Sequence, residues 1–365
     1  MGELGISVYP SRASVADNIA YIEKAASYGY TRIFTSLLGL TPDMTDLLDQ
    51  YKQVIMRGNE LGMKTILDIN PELFEQLGTS YTDLRLFSEM GAWGLRLDLG
   101  FTGAEEAQMT HNPYGLKIEL NMSRGQHYID LIMDFGVNRD NLIGSHNFYP
   151  QRFTGLGRDY FAETSMQYRR FGLRTAAFVN APSGSFGPWP VSDGLVSMED
   201  HRNLPIATQV QELRFNGLVD DVLIADAFAD DTDLQAAAEA FNRTMVGLRI
   251  VEEPLVSKVS KQVLYDQPQM YRGDRSDYVL RSTQTRVKYK AEDFPAFNTV
   301  DVTRGDVIID NNDYGQYKGE LQIALRDLPN DGRINVVGHI HPEDMALLSL
   351  IQPWHGFTLE PAEKL

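Results

Sequence analysis

The feature that most constrains the fold of this chain is the regular alternation of short apolar runs with longer amphipathic segments between Leu4 and Gly247. Eight runs end at turn-forming residues and read as β-strands. They are Leu4–Pro10, Thr31–Leu37, Lys64–Asn70, Gly94–Phe101, Gly115–Asn121, Asn141–Tyr149, Arg174–Ala181 and Asp220–Phe228. Such alternation predicts parallel strand–helix units, and eight units in about 245 residues match the (β/α)8, or TIM, barrel of the α/β class.

Glycines support this interpretation, because helices commonly end at a glycine in a left-handed conformation. Several of the amphipathic segments stop at a glycine before the next strand, namely Gly29, Gly62, Gly91, Gly136, Gly172 and Gly217. An open doubly wound sheet is the alternative. It usually has fewer repeats and a glycine-rich phosphate-binding turn after its first strand, where this chain has VYPSRAS. The barrel is therefore favoured.

The pattern changes near Arg249, which predicts two domains, residues 1–248 and 249–365. Turns rich in Asp, Asn and Gly separate short β-like segments in the second part: Ser276–Arg281, Val287–Lys290, Val307–Ile309, Glu320–Ala324 and Ile334–His339. This spacing favours a smaller all-β barrel. It contains no evident catalytic constellation, and a role in shaping the substrate entrance or in dimerisation stays open.

Composition limits the class of partner. A net charge of −17 disfavours nucleic acids and anionic membranes, although it leaves a small anionic substrate possible. The chain has no cysteine, so disulfides and thiolate metal sites are excluded. No apolar stretch is long enough to span a membrane, and the start MGELGISVYP does not resemble a secretory signal. We expect a cytoplasmic protein.

The alternation of side chains along each strand separates residues that face the barrel lumen from those that face the helices. In the fourth strand Leu95, Leu97 and Leu99 suit the helix-facing side, which leaves Arg96 and Asp98 inside. The same reasoning places several further polar residues inside, towards the carboxyl ends of their strands: Ser7, Tyr9, Asp68, Asn70, Lys117, Glu119, Asn121 and Asp226. This is the end where barrel enzymes have their active sites.

Four of these residues, Asp68, Asp98, Glu119 and Asp226, form a predicted rim of acids, which are our candidate catalytic residues. A protonated and an ionised carboxyl group close together are what glycoside hydrolysis requires. Asp98 and Glu119 are expected at the same height on neighbouring strands, about 5 Å apart, as in a retaining pair. Asp68 or Asp226 with Glu119 would lie farther apart and suit inversion. Any one acid alone could instead cap a helix or pair with Arg96.

Two other chemistries fit the sequence less well. Barrel metallohydrolases usually need several histidines at strand ends, and only His146 lies at such a place; the motif His339-Ile340-His341 falls outside the barrel. A Schiff-base aldolase needs a lysine in an apolar strand environment, and Lys117 is low on its strand. We therefore predict no metal and no other cofactor.

Substrate-binding residues are expected on the loops above the rim. Arg12, Arg124, Arg152 and the segment 183–185 could hold an anion, and Trp189 offers a flat face for a sugar ring. The long loop from Asn180 to Asp193 could bind substrate or could be an ordinary solvent-exposed loop. His201 and Arg202 could likewise be substrate contacts or surface residues. The complete set of candidate substrate-binding residues is Tyr9, Arg12, Asn70, Arg96, Asn121, Arg124, His146, Asn147, Tyr149, Arg152, Asn180, Ser183 and Trp189.

Several long segments resemble one bacterial family: GISVYPS at 5–11, LDINP at 67–71, LRLDLGF at 95–101, IELNMS at 118–123, SHNFYPQRFTGL at 145–156 and GDVIIDNNDYGQYKGELQI at 305–323. The family is that of the 6-phospho-N-acetylmuramidases, glycoside hydrolase family 170, and the similarity covers essentially the whole chain. It implies a C-terminal cyclophilin-like β-barrel and cytoplasmic cleavage of N-acetylmuramic acid 6-phosphate β-1,4-linked to N-acetylglucosamine during cell-wall recycling. It assigns no nucleophile or acid.

The sequence thus leads to one main hypothesis, a phosphoglycosidase with Glu119 as general acid/base and Asp98 as nucleophile or electrostatic stabiliser. Asp68 and Asp226 support them, and the first two roles could be exchanged. The expected partner is the phosphorylated amino-sugar disaccharide, whose phosphate and carboxylate require the loop arginines. Nucleic acid and membrane are not expected as partners. Whether the chain forms a homodimer is left open. A sugar-phosphate isomerase or lyase, and a non-catalytic phosphosugar-binding protein, are the alternatives.

Overall fold

The computed structural model of the chain describes residues 2–38, 45–191 and 193–362. These residues form two compact units, residues 1–242 and 243–365, which are taken separately below.

The first unit is a closed barrel of eight parallel strands, each hydrogen-bonded to the next, with the last strand pairing with the first. The predicted (β/α)8 architecture is confirmed. The strands are β1 Leu4–Ser7, β2 Arg32–Ser36, β3 Lys64–Ile69, β4 Gly94–Leu97, β5 Lys117–Asn121, β6 Leu142–Ser145, β7 Arg174–Val179 and β8 Asp221–Ile224.

Helices connect these strands and cover the barrel. They are α1 Val15–Ser27, α2 Thr45–Glu60, α3 Pro71–Gln76, α4 Arg85–Glu89, α5 Ala104–Met109, α6 Tyr128–Asp134, α7 Arg158–Arg169, α8 Ile206–Phe215 and α9 Asp231–Asn242. Short 3-10 turns lie at Arg139–Asn141 and Glu199–His201. The glycines predicted to end the helices adopt φ values between 71° and 87°, which other residues rarely do. The sequence therefore encodes the helix ends through local backbone chemistry.

The strand side chains divide as their alternation predicts. Leu95 and Leu97 are buried in the apolar layer between strands and helices. Leu99 departs from the expectation, because β4 ends at Leu97 and the Leu99 side chain is 46% exposed. On the lumen side, Phe34 and Phe178 pack edge to face at 5.1 Å between ring centroids. Aromatic packing thus fills one part of the lumen and leaves charged groups to fill the rest.

The second unit contains a seven-stranded sheet in the order β10-β15-β9-β14-β12-β13-β11. Its strands are β9 Val246–Glu252, β10 Gln269–Met270, β11 Val279–Ser282, β12 Asp306–Asp310, β13 Leu321–Ala324, β14 Ile334–Ile340 and β15 Gly356–Pro361. A main-chain hydrogen bond of 3.0 Å from Arg272 to Arg281 connects the two edges and nearly closes the sheet. The predicted smaller barrel is confirmed.

Helical segments interrupt this sheet: α10 Lys258–Tyr265, α11 Gln284–Lys288, and 3-10 turns at Asn312–Tyr317 and Pro342–Leu350. The predicted strand at Val287–Lys290 is wrong, because Val287 lies in α11 with its side chain 66% exposed. Its β-branched side chain packs against no partner strand, and packing is what makes such residues favour strands. None of the helices in the described ranges is both long and apolar enough to cross a membrane.

Candidate active site

A cleft of about 180 Å³ opens at the carboxyl ends of the barrel strands. It is lined by Leu38, Asp68, Arg96, Asp98, Asn147, Phe148, Pro188 and Trp189. These residues lie at or beyond the ends of β2, β3, β4, β6 and β7. Active sites of barrel enzymes occupy this end, so this cleft is the candidate active site.

Arg96 organises the floor of the cleft. Its guanidinium is buried, and Nη1 donates to Asp68 Oδ1 at 2.6 Å and to Asp98 Oδ1 at 3.4 Å. Nε donates to Ser145 Oγ at 2.9 Å, and Nη2 donates to Asn147 Oδ1. Both carboxylate oxygens bind one nitrogen atom, so these two oxygens are at most about 6 Å apart, a limit compatible with the ~5–5.5 Å carboxyl separation of retaining glycosidases.

The two carboxyl groups of this pair have different environments. Burial is the main cause that raises the pKa of Asp68 to about 6, although the adjacent Arg96 acts in the opposite direction. The Asp98 side chain, in contrast, is 33% exposed. A buried carboxyl group with a raised pKa suits proton transfer, and the more exposed Asp98 is accessible to a ligand in the cleft.

Glu119 lies lower in the lumen than the sequence suggested. The strand register pairs Glu119 with Arg96, so Asp98 extends two residues beyond it. The Glu119 side chain is 2% exposed, and its Oε2 accepts a hydrogen bond of 2.9 Å from Arg32 Nη2. The expectation of equal heights for Asp98 and Glu119 is therefore wrong. Strands in a closed barrel are staggered, and the stagger cannot be read from where each apolar run ends.

Arg32 is the centre of a second charged network, below the cleft. Besides Glu119, it donates through Nη1 to Asp221 Oδ2 at 2.6 Å. Arg174 binds the same oxygen through Nε at 2.8 Å. The side chains of Arg32, Glu119 and Asp221 are at most 2% exposed, so this central part of the network is closed to solvent, whereas Arg174 is 30% exposed.

Asp226, just beyond β8, is buried beside the cleft rather than among its lining residues. Its Oδ2 accepts a hydrogen bond of 3.1 Å from the Ala181 amide, and burial raises the pKa of its carboxyl group to about 7. Gly184 packs directly on it, since a Cβ there would lie 2.3 Å from Asp226 Cβ. Tyr9, at the end of β1, is also buried and donates its hydroxyl to the Ala225 carbonyl at 2.8 Å.

His146 is enclosed in the wall of the barrel. It lies between Ser123 Oγ at 3.2 Å and Ser165 Oγ at 2.8 Å, and its ring stacks on Phe161. Burial lowers the pKa of its imidazole to about 3, so it is neutral at physiological pH. Its contacts are those of a packing residue. Among the described residues, no group of three or more His, Asp or Glu is arranged to hold a metal ion.

Three predicted asparagines bind main-chain atoms. Asn70 caps α3 by accepting from the Leu73 amide at 2.9 Å. Asn121 donates to the Asp98 carbonyl at 3.2 Å, and Asn180 accepts from the Leu195 amide at 3.3 Å. They shape the loops around the cleft, and Asn147 is the predicted asparagine that lines it.

Arg12 connects the loop after β1 to the loop after β7. Its Nη1 donates to the carbonyls of Gly187 at 3.0 Å and Trp189 at 2.8 Å, and its guanidinium lies over the Phe186 ring. This contact fixes the main chain of Trp189, whose side chain lines the cleft and is 43% exposed.

The other predicted loop residues lie around the rim. Ser183 donates its hydroxyl to Asp233 Oδ2 at 2.6 Å, and Tyr149 forms a β-bridge with Val196. Arg152 is exposed, with its Nε 3.9 Å from Asp193 Oδ1. Arg124 is also exposed. These two arginines and Arg12 are the exposed arginines of the predicted set.

Sequence reasoning missed three cleft residues, Leu38, Phe148 and Pro188, because apolar residues beyond strand ends carry no chemical signal. Phe148 follows the predicted Asn147 directly, and this adjacency could have suggested it. His201 and Arg202, which fitted either substrate contacts or surface residues, are both buried and outside the cleft lining.

The chain matches known proteins along nearly its whole length. Residues 4–239 match the family model described as 6-phospho-N-acetylmuramidase, N-terminal, and residues 246–360 match the corresponding C-terminal model. The crystal structure of an uncharacterized B. cereus protein shares 43% sequence identity, covers 98% of this chain and 99% of that chain, and superposes with a TM-score of 0.90. That of a conserved Enterococcus faecalis protein with an unknown function shares 28% identity, covers 98% and 96%, and has a TM-score of 0.74. Among curated proteins, none gives a significant match.

Proposed function

The chain belongs to the family of 6-phospho-N-acetylmuramidases, which are glycosidases, and from this premise we propose that it hydrolyses the β-1,4 bond between N-acetylmuramic acid 6-phosphate and N-acetylglucosamine. The observation that carries the proposal is the pair Asp68 and Asp98, bound to one nitrogen of Arg96 at the floor of an open cleft. The biological setting would be the recycling of cell-wall fragments.

We assign proton transfer to Asp68 and nucleophilic attack to Asp98. A carboxyl group with a pKa of about 6 is partly protonated near neutral pH, as a general acid requires. Asp68 gives its proton to the glycosidic oxygen, which leaves with the bonding electrons as the N-acetylglucosamine hydroxyl. The Asp98 carboxylate bonds to the anomeric carbon. Water, deprotonated by Asp68, then displaces Asp98 and restores both groups with retained configuration.

Arg96 supports both halves of this cycle. As Asp68 loses its proton, the new negative charge lies 2.6 Å from Arg96 Nη1, and this contact stabilises it. Glu119 takes no proton in this scheme, because it lies level with Arg96, two residues below Asp98, and is bound to Arg32. The acid/base role assigned to Glu119 from sequence is therefore moved to Asp68, and Asp98 keeps its role.

Substrate contacts follow from the cleft walls and rim. Phe148 and Trp189 present apolar surface on which sugar rings can stack. Arg124 and Arg152 are exposed on the loops after β5 and β6, where they can attract the 6-phosphate. Arg12 contributes indirectly by holding Trp189.

The test is to incubate the protein with phosphorylated and unphosphorylated disaccharides in water enriched in oxygen-18 and to follow early products by mass and by NMR. Hydrolysis releases two sugars, with one solvent oxygen in the muramic acid product, which forms first as the β-anomer. An unsaturated or rearranged product without solvent oxygen would contradict hydrolysis. First release of the α-anomer would contradict the roles of Asp68 and Asp98.

Variants make this test residue-specific. Asp98→Asn and Asp68→Asn should each reduce turnover, by about 10²- to 10⁴-fold for loss of the general acid/base. Asp274→Asn is the matched control, because Asp274 is also a carboxylate bound to an arginine, Arg272, but belongs to the second unit and is 58% exposed. Its turnover should equal that of the wild type.

A further inference from the structure

An ion pair between a buried arginine and a partly exposed glutamate lies behind the cleft, where the loop after β7 leads into α8. Arg202 donates to Glu199 through Nε to Oε1 at 2.8 Å and through Nη2 to Oε2 at 2.7 Å. The Arg202 side chain is 4% exposed, although the pair lies on a connecting segment rather than on a strand. We call Glu199 and Arg202 the rim clamp. The proposed mechanism does not use it.

The guanidinium of the rim clamp binds the main chain of two different loops. In the loop after β6, Nη1 donates to the Tyr149 carbonyl at 3.0 Å and Nη2 to the Gln151 carbonyl at 3.1 Å. In the loop after β7, Nη1 also donates to the Gly194 carbonyl at 2.6 Å. One planar, fully charged group therefore fixes the distance between the two loops.

The carboxylate of the rim clamp holds the loop after β6 a second time. Glu199 Oε1 accepts from the Phe153 amide and Oε2 from the Gly155 amide, both at 2.8 Å. Phe153 adopts φ 66°, a left-handed conformation that is unfavourable for a phenylalanine and that these contacts stabilise. The pKa of Glu199 is lowered to about 2, mainly by its hydrogen bond to Arg202, so the pair stays charged across the assay range.

Both loops carry a glycine where they meet the clamp. A Cβ at Gly155 would lie 2.7 Å from Glu199 Oε2 and 2.8 Å from the Glu199 main-chain nitrogen. Gly194 has φ +96°, and a Cβ there would lie 3.3 Å from Arg202 Cγ. A side chain at either glycine would therefore disturb the clamp.

The same two loops form the apolar walls of the cleft. Phe148 precedes Tyr149 in the loop after β6, and Trp189 lies five residues before Gly194 in the loop after β7. Ser197 Oγ donates to the Asn147 carbonyl at 2.8 Å and continues the connection into the cleft floor. We infer that Arg202 and Glu199 are positioning residues that set the spacing between Phe148 and Trp189 and thereby select the disaccharide. This inference rests on the proposed function for its substrate.

The test compares Arg202→Lys with wild type in two independent measurements. Lysine keeps the charge but cannot reach all the acceptors that the guanidinium binds. Hydrogen exchange, measured without substrate, should increase about tenfold in peptides covering 148–156 and 187–195 and stay unchanged elsewhere. With the phosphorylated disaccharide, KM should rise about 10- to 100-fold while kcat changes by less than about threefold, since misplaced walls weaken substrate positioning.

Arg249→Lys is the matched control, because Arg249 is likewise an arginine in an ion pair, here with Glu343 and Asp344, but in the second unit. It should leave exchange in the two loops and both kinetic constants unchanged. If Arg202→Lys does not fold, Glu199→Gln removes the charge with the same shape and should give the same two effects. Unchanged exchange in the two loops, or a fall in kcat with KM unchanged, would overturn the inference. Absence of hydrolysis by the wild type would refute the proposed function, while the exchange measurement would still decide whether the clamp holds the loops.

Discussion

The barrel lumen contains two arginines that bind acids in similar ways but in different surroundings. Arg96 binds Asp68 and Asp98 at the floor of the cleft. Arg32, lower in the barrel, binds Glu119 and Asp221, and these three side chains are at most 2% exposed. The networks almost touch, with Arg96 Nε 4.0 Å from Glu119 Oε1. The same types of residue, arginine and acids, therefore form two networks in one lumen, and a substrate can reach only one of them.

We propose that this difference separates the catalytic network from the structural one. In the lower network each carboxylate faces an arginine and is closed to solvent, so its charge contributes to the fold. In the upper network Asp98 reaches the cleft with a third of its side chain exposed, and the pKa of Asp68 is raised by burial. A charged group becomes useful for chemistry when a ligand can reach it, and only the upper network meets this condition.

The largest effect should come from replacing a carboxylate of the upper network by an amide. The same replacement in the lower network serves as the comparison. Asp98→Asn removes the proposed nucleophile, and we expect turnover of the phosphorylated disaccharide to fall by about 10³-fold or more, equivalent to ~4 kcal/mol or more of barrier. Glu119→Gln should change turnover by about tenfold or less, or ~1.4 kcal/mol, because Glu119 does not reach the cleft. Kinetics on both variants at equal folded fraction make the comparison.

Circular dichroism and a binding measurement with the intact disaccharide serve as controls for these variants. Asp98→Asn should bind the disaccharide without cleaving it. If Glu119→Gln lost turnover as completely as Asp98→Asn, the original sequence assignment of Glu119 as general acid/base would be restored and the comparison would fail.

The next effect concerns stability and the lower network. Arg32→Met leaves the buried carboxylates of Glu119 and Asp221 without their shared partner, so we expect the free energy of unfolding to fall by about 3–5 kcal/mol. Urea unfolding measures this. Arg57→Met is the matched control, since Arg57 also binds two acids, Glu23 and Glu60, but on the surface, where water screens such pairs and their loss should change stability far less. Equal losses in both variants would show that the lower network is not structural.

The parts of the fold that the sequence predicts are those with local signals. The apolar runs and the terminal glycines of the barrel helices each depend on a few neighbouring residues, and all eight strands are found where they were expected. In the second unit β15 pairs in parallel with β9, for example Phe357 with Val246, across more than a hundred residues. No periodicity in either segment indicates that pairing, which explains why these strands were not predicted.

The candidate site shows the same limit. Alternation along the strands places Arg96, Asp98 and Asp68 inside the lumen, as the structure confirms. The height of Glu119 depends on barrel stagger, and the roles of Arg12 and Arg202 depend on loops that meet only in three dimensions. Sequence patterns identify which residues face inward, but contacts between distant segments decide which of them a substrate can reach.

The pH dependence of turnover sharpens the comparison, because the two networks are electrostatically coupled. The general acid must be protonated, so kcat/KM should fall as pH rises through about 6, the pKa of Asp68, and about tenfold per pH unit above it. The negative charge of Glu119 contributes to raising the pKa of Asp68, so Glu119→Gln should move this limb to lower pH. A limb that stays in place would show that Asp68 is not the titrating group.

Protein stability should respond to the same carboxyl group with a defined sign. The pKa of Asp68 is higher in the folded chain than the ordinary value of an aspartate side chain, 3.8. Its contribution to the free energy of unfolding is therefore complete below pH 3.8 and is lost as pH rises through about 6. Because asparagine does not titrate, the unfolding free energy of the wild type should fall relative to that of Asp68→Asn over this interval, which urea titrations at several pH values can measure.

The smallest effect should come from the apolar wall above the upper network. Trp189→Ala removes the partly exposed ring that lines the cleft, and we expect KM to rise about tenfold, consistent with ~1.4 kcal/mol of lost stacking, with kcat nearly unchanged. Trp354→Ala is the matched control, because Trp354 is 72% exposed in the second unit. It should leave both constants unchanged. A fall in kcat for Trp189→Ala with KM constant would mean that the wall acts on the reacting groups themselves, and the separation between the chemistry at Arg96 and the binding surface above it would have to be abandoned.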